Sequence, residues 1–134
     1  MIVLDTNICI YLINNDEKYA PKILDRLTKH QRSDIFISLI TVVELRFGAE
    51  NSKRKELNLR LIDEFISNFN ILPFGMRDAQ VYGVVRRELT AVNRKIGDMD
   101  MLIAANVLSR GCTLVTNNEK YFKNISGLKI ENWM

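Results

Sequence analysis

Histidine is nearly absent. A single one, His30, stands among 134 residues, so neither a histidine-built metal site nor a conventional triad is available. Cysteine is scarce too. Cys9 and Cys112 lie inside apolar runs without metal-type spacing, and they read as small buried hydrophobes in a reducing cytoplasm. Proline occurs only at Pro21 and Pro73, so no segment is hinge-rich, and there is no repeat, low-complexity tract or linker. No apolar run approaches the roughly 20 residues of a membrane span. No basic stretch precedes the apolar N-terminus, as it does in a signal peptide. These absences exclude much hydrolase chemistry and leave carboxylates as the main catalytic stock.

What is present suits one ordinary soluble domain over residues 1–134, with 47% hydrophobic and 26% charged residues. The net charge of +3 is only mildly basic and does not by itself select a nucleic-acid partner. The cations are clustered, however, at Lys29–Arg32, Lys53–Lys55, Arg86–Arg87 and Arg94–Lys95. Any one cluster reads as a solvated helix face. Several around a carboxylate site would serve a phosphate substrate.

Strands and helices alternate along the chain. Ile2–Leu4 reads as a short buried strand, and NICIYLI as the first helix, capped by Thr6 or Asn7. Pro21 suits the first turn of a second helix. Ile35–Ile37 is a second strand ending at Ser38, and a helix is expected from Thr41. An amphipathic helix follows, carrying Leu57, Leu61, Ile62 and Phe65 on one face. Asn70–Phe74 is a third strand, whose Pro73 points to a sheet edge or a strand end. Arg77–Val92 is helical. DMLIAANVLSRG is a further helix that stops at Gly111. Cys112–Val115 and Leu128–Ile130 complete an α/β domain with a largely parallel sheet.

In such sheets, ligands bind beyond the carboxyl ends of the strands. Asp5 follows the first strand there, and Thr116, Asn117 and Asn118 follow the fourth. Glu44 lies early in the helix after the second strand. Asp100 starts the helix that runs back into the fourth. Each has an ordinary reading alone. Asp5 can cap a helix, Thr41 and Glu44 fit a capping box, Asp98 is a natural N-cap, and Asn117–Asn118 is a turn. Asp100 is the exception, because it shares a stripe with Ile103, Ala104 and Val107. A carboxylate on a buried stripe is costly unless paired or metal-bound. Three converging carboxylates repel one another, and a divalent cation resolves that cost. Oxygen-only ligands suit Mg²⁺ or Mn²⁺, and the chemistry this supports is metal-assisted phosphodiester hydrolysis.

The segments LDTNICIYLI, ISLITVVELRFGA, IGDMDMLIAANVLSRGCTLVTNN and GLKIENW together resemble the PIN-domain nucleases, most closely the VapC-type toxins of toxin–antitoxin pairs. The likeness runs over nearly the whole chain. It implies a PIN-like three-layer sandwich: a mostly parallel sheet of four to five short strands flanked by helices. It also implies a cytoplasmic endoribonuclease that needs Mg²⁺ or Mn²⁺ and leaves 5′-phosphate and 3′-hydroxyl ends. The family's acids fall on Asp5, Glu44 and Asp100. By resemblance, Asp5 and Asp100 hold the metal and Glu44 completes its surroundings or orients the attacking water. Thr6, Thr116 and Asn118 position ligands or phosphate, with Asn117 in the same stretch. Asp98 is either a cap or a helper one contact removed from the metal. Where many relatives carry a fourth aspartate, this chain has Asn117–Asn118 followed by Glu119. The implied partners are structured RNA, especially tRNA, a VapB-type antitoxin whose tail blocks the acids, and a second copy of the chain.

Two rival readings come from other classes. A degenerate PIN fold could serve as a non-catalytic RNA- or protein-binding module, which the missing fourth aspartate favours and three intact acids oppose. A phosphoaspartate enzyme with Asp5 as nucleophile lacks its second acid two residues on.

Overall fold

The computed structural model describes residues 1–134. The elements, in chain order, are β1 (Ile2–Leu4), α1 (Thr6–Ile13), α2 (Ala20–Leu27), a 3₁₀ turn (Arg32–Asp34), β2 (Ile35–Ser38), α3 (Leu39–Glu50), α4 (Lys55–Ile66), β3 (Asn70–Leu72), α5 (Met76–Ala91), α6 (Asp98–Ser109), β4 (Thr113–Val115), α7 (Glu119–Phe122) and β5 (Lys129–Glu131). The five strands form one sheet in the order β3-β2-β1-β4-β5. Every pairing is parallel. Strand β3, which Pro73 follows directly, is at an edge of the sheet.

Side chains of a strand alternate between faces, and the core divides accordingly. Ile2 and Leu4 pack with Ile8, Ile23, Leu45 and Ile62 on one face. Val3 and Leu114 pack with Val85, Ile103, Val107 and Phe122 on the other. Helices therefore cover both faces, which gives the three-layer sandwich. Fully burying one large aliphatic side chain contributes roughly 1.5–3 kcal/mol. Ile103, Ala104 and Val107 are all fully buried, so packing fixes the rotation of α6 and with it the direction of Asp100.

Register delivers the site. Leu4 pairs with Ile37 on one side and with Val115 on the other. The next residues, Asp5, Ser38 and Thr116, therefore emerge together at the carboxyl edge. Strand order reverses on either side of β1, the crevice where open α/β sheets place ligands.

Four local expectations need correction. The cap of α1 is Asp5, whose side chain accepts from the Thr6 amide at 2.8 Å, rather than Thr6 or Asn7. Helix α3 starts at Leu39, two residues before the expected Thr41, because the Ser38 hydroxyl caps it by accepting from the Ile40 amide at 3.1 Å. The Thr41–Glu44 capping box therefore does not form. Asp98 is not a cap: Gly97 takes that place and Asp98 is the first residue of α6. Strand β3 stops at Leu72 rather than Phe74, since the Pro73 carbonyl turns to accept from Asn106 and Arg110, both at 2.9 Å.

Candidate active site

Asp5 is almost wholly buried, with 2% of its surface exposed. Both of its oxygens are held. Oδ1 accepts from the Thr6 amide at 2.8 Å and Oδ2 from the Thr116 hydroxyl at 2.7 Å. Thr116 is itself fully buried, and its oxygen also accepts from the Asn118 amide at 3.0 Å. One carboxylate thus ties the ends of β1 and β4 together while capping α1. Burial pushes the Asp5 pKa up. The Thr116 and Thr6 hydrogen bonds oppose that rise, and the Glu44 charge adds to it.

Release from the capping box leaves Glu44 to a different partner. Its Oε1 accepts from the Thr6 hydroxyl at 2.6 Å, and Thr6 also lies 3.1 Å from the Thr41 hydroxyl. Asp100 reaches the same place from the start of α6. Its pKa is pushed up to about 6 by burial first, then by the charges of Asp5 and Glu44. A Cβ on Gly97 would sit 3.3 Å from Asp100 Oδ2, so glycine at that cap leaves room for the carboxylate.

Asp5, Thr6, Glu44, Asp100 and Asn118 line one cavity of about 740 Å³, together with Tyr121. Its far wall is apolar, with Ile10, Ile13, Leu61 and Ile62 from α1 and α4. Three expected residues are outside it. Thr116 lies behind Asp5, where its hydroxyl acts through that carboxylate. Asn117 donates through its amide to the Tyr11 hydroxyl at 2.9 Å. Asp98 lines a separate cavity. Glu119 is exposed at the start of α7. Leu61 and Ile62 belong to the amphipathic face legible in the sequence, whereas the places of Gly97 and Tyr121 come from the tertiary structure.

The donor set fits a hard divalent cation. Every polar group facing the cavity is an oxygen or amide donor, and two of the carboxylates resist ionisation where they stand. The acids form no closed three-ligand cage by side-chain proximity alone. Mg²⁺ does not need one, because it keeps several waters and takes one or two carboxylates.

The raised pKa values make a testable statement about stability. A carboxyl whose folded pKa lies above its unfolded value of about 3.9 binds more protons in the native state, so stability falls as pH rises between the two. For Asp100 that window runs from about pH 4 to about 6. In chelator, the melting temperature should decline across it, and Asp100→Asn should flatten the decline. An unchanged decline in the variant would assign it to another group.

Thr6→Val removes the hydroxyl that aims Glu44. We expect about a tenfold loss of turnover with little change in melting temperature, and recovery in Thr6→Ser. A valine variant with parental turnover would show that Glu44 needs no aiming.

The family model described as PIN domain matches residues 2–128. The chain is similar to Ribonuclease VapC2 of Rickettsia felis, at 41% identity over 98% of this chain and 96% of that protein. It is also similar to the tRNA(fMet)-specific endonuclease VapC of Shigella flexneri, at 37% identity over 98% and 96% of the two chains. Among solved structures, a DNA-bound VapBC from Salmonella typhimurium superposes with a TM-score of 0.90 at 38% identity, covering 99% of this chain and 98% of that one.

Proposed function

This chain belongs to the PIN domain family, and from that premise we propose that it is the endoribonuclease toxin of a VapBC-type toxin–antitoxin pair. The observation that carries the reading is the single cavity where Asp5, Glu44 and Asp100 meet from three distant parts of the chain. A pure binding module has no use for three carboxylates that repel one another at a buried edge. The substrate is structured RNA, with tRNA the first candidate given the names of the relatives. The partners are a VapB-type antitoxin and a second copy of the chain. No helix is long and apolar enough to cross a membrane, and the cytoplasm, where structured RNA is found, is the compartment that goes with this reading.

Asp5 and Asp100 would hold Mg²⁺ or Mn²⁺, directly or through water. When bound, the cation polarises a phosphoryl oxygen and acidifies a water. The Thr6 amide and the Thr116 hydroxyl each occupy one lone pair of an Asp5 oxygen and fix the carboxylate plane, leaving other lone pairs for a ligand. Glu44, aimed by Thr6, accepts a proton from the attacking water. The water oxygen bonds to phosphorus, the bond to the 3′ oxygen breaks, the leaving 3′ oxygen takes a proton from solvent water, and a 5′-phosphate and a 3′-hydroxyl result. The side-chain amide of Asn118, which lines the cavity, positions the phosphate without adding charge.

The test is cleavage of a tRNA transcript by protein purified free of antitoxin, with Mg²⁺, with Mn²⁺ and with chelator. Cleavage in either metal and none in chelator is expected. Protein that binds the RNA in metal and never cuts it would overturn the reading.

A further inference from the structure

The first turn of α6 divides two cavities. Asp100 faces the one already described. Asp98, two residues earlier, lines a second of about 250 Å³ with Arg86, Thr90, Arg94 and Lys95. The base of this second cavity includes the buried Leu89 and Met101.

Local geometry builds the cationic wall. Asn93 takes a positive φ of 54°, a conformation that asparagine tolerates better than most residues. The Asn93 amide returns to the Thr90 carbonyl at 3.0 Å and the Arg94 amide to the Leu89 carbonyl at 2.8 Å. That reversal folds Arg94 and Lys95 back beside the last turns of α5, which carry Arg86 and Thr90. The Arg94 guanidinium is then fixed by neutral acceptors. It donates to the Lys120 carbonyl, and with the Asn124 side-chain amide turned so that its oxygen faces Arg94, that oxygen accepts from Nε at 3.1 Å and Nη1 at 2.8 Å. Arg86 donates to the Tyr82 hydroxyl at 2.9 Å. None of the chain's ion pairs involves Arg86, Arg94 or Lys95. Three cations thus line a half-enclosed cleft against one carboxylate, Asp98. Like charges gathered without counter-ions suit an anion that bridges them.

Position selects the anion. Arg94 binds the carbonyl next to Tyr121, which lines the acid cavity, so the loop between α5 and α6 is tied to the helix that borders that cavity. One helical turn is about 5 Å long. Asp98 and Asp100 share the first turn of α6, so a strand whose scissile phosphate lay at Asp100 would have a neighbouring phosphate within reach of the cleft. We propose that the Arg86–Arg94–Lys95 cleft is a subsite for a backbone phosphate of the RNA, flanking the bond that is cut. This rests on the endoribonuclease reading and adds to it the path that the substrate strand takes.

The test compares the parent with an Arg86→Ala/Lys95→Ala double variant. Both side chains are exposed, and the one hydrogen bond lost, from Arg86 to the Tyr82 hydroxyl, lies at the surface, so folding is not at risk. Arg94→Lys is made separately, because it keeps the charge and loses the planar fork. The measurement is kcat and KM on a tRNA transcript across about 50–200 mM salt, beside the melting temperature. The double variant should raise KM about tenfold at low salt with kcat kept. Its log–log salt slope should fall by about 0.7–0.9, the value for one phosphate contact removed. Arg94→Lys should give a smaller rise in KM with the parental slope. A double variant with parental KM and slope overturns the subsite while the nuclease reading stands. Unchanged RNA kinetics with weakened antitoxin binding also overturns it, and assigns the cleft to an acidic segment of protein. A parent that cuts no RNA removes the nuclease reading and this subsite with it.

Discussion

Asp100→Asn should lose RNA cleavage by about a hundred- to thousandfold, the usual cost of removing one group that stabilises transition-state charge, while its melting temperature in chelator stays level or rises. The two effects have one cause. In the metal-free protein, the Asp100 carboxylate is opposed by burial and by the charges of Asp5 and Glu44. An amide of the same shape removes that repulsion and with it the cation's attraction to the site. Addition of Mn²⁺ should therefore raise the melting temperature of the parent, since a ligand that binds only the native state stabilises it. The variant should not respond. Asp5→Asn should lose activity to a similar degree, but with a different stability signature. Its amide oxygen can still accept from the Thr6 amide, whereas its amide nitrogen must face Thr116, whose hydroxyl has to turn from donor to acceptor. A small destabilisation is expected there. Residual cleavage near the parental level in Asp100→Asn, or a melting temperature several degrees lower, would sink the assignment.

The largest effect on stability should come from a residue outside the acid cavity. Asp78 is fully buried at the start of α5. It accepts from the Gly75 amide at 2.7 Å, from Arg110 Nη2 at 2.8 Å and Nε at 3.3 Å, from Asn106 at 3.2 Å, and from the Ser109 hydroxyl. Asn106 also accepts from Ser38, the cap of α3, at 2.6 Å. One carboxylate thus joins α5, α6 and the end of β2. Asp78→Ala leaves these donors without an acceptor and a guanidinium without its partner. The expected cost is about 3 kcal/mol, seen as a melting temperature lower by roughly 10 °C. Asp78→Asn should fall between, because it keeps an acceptor and loses the charge.

The same residue predicts acid sensitivity. Burial alone would raise the Asp78 pKa. Hydrogen bonds from Arg110, Ser109, the Gly75 amide and Asn106 outweigh it and hold the carboxyl well below the usual carboxylate range. A depressed pKa contributes stability that is fully present above the unfolded value of about 3.9 and is lost as pH falls below it. The parent should destabilise steeply below about pH 4, and Asp78→Asn less steeply. Equal slopes in the two proteins would remove Asp78 from the account of acid unfolding.

The convergence of Asp5, Glu44 and Asp100 was legible before any coordinates, because it needs only strand order and direction. In a parallel sheet the residue after each strand emerges at one edge, and a helix that runs into a strand starts at that edge. The hydrophobic stripe of α6 further fixed the direction of Asp100. Local hydrogen-bond competition was less legible. Ser38 and Thr41 are both fair caps, and the choice of Ser38 is what frees Glu44 for Thr6. Asp98 and Gly97 compete in the same way at α6, and the glycine prevails where Asp100 needs the space.

By itself, then, the sequence determined the alternation of strands and helices, the edge on which the acids meet, and the scarcity of histidine and cysteine that leaves carboxylates as the main polar stock of the site. These follow from periodicity and composition, which are properties of the chain. Only the tertiary structure decided that Thr6 aims Glu44, that Asn117 serves Tyr11, that Asp78 knots three elements together, and that Arg94 doubles back to face Arg86. Each of these depends on which of several competent partners arrives at hydrogen-bond distance. That choice is set by the packing of whole helices against the sheet, to which no short stretch of sequence refers.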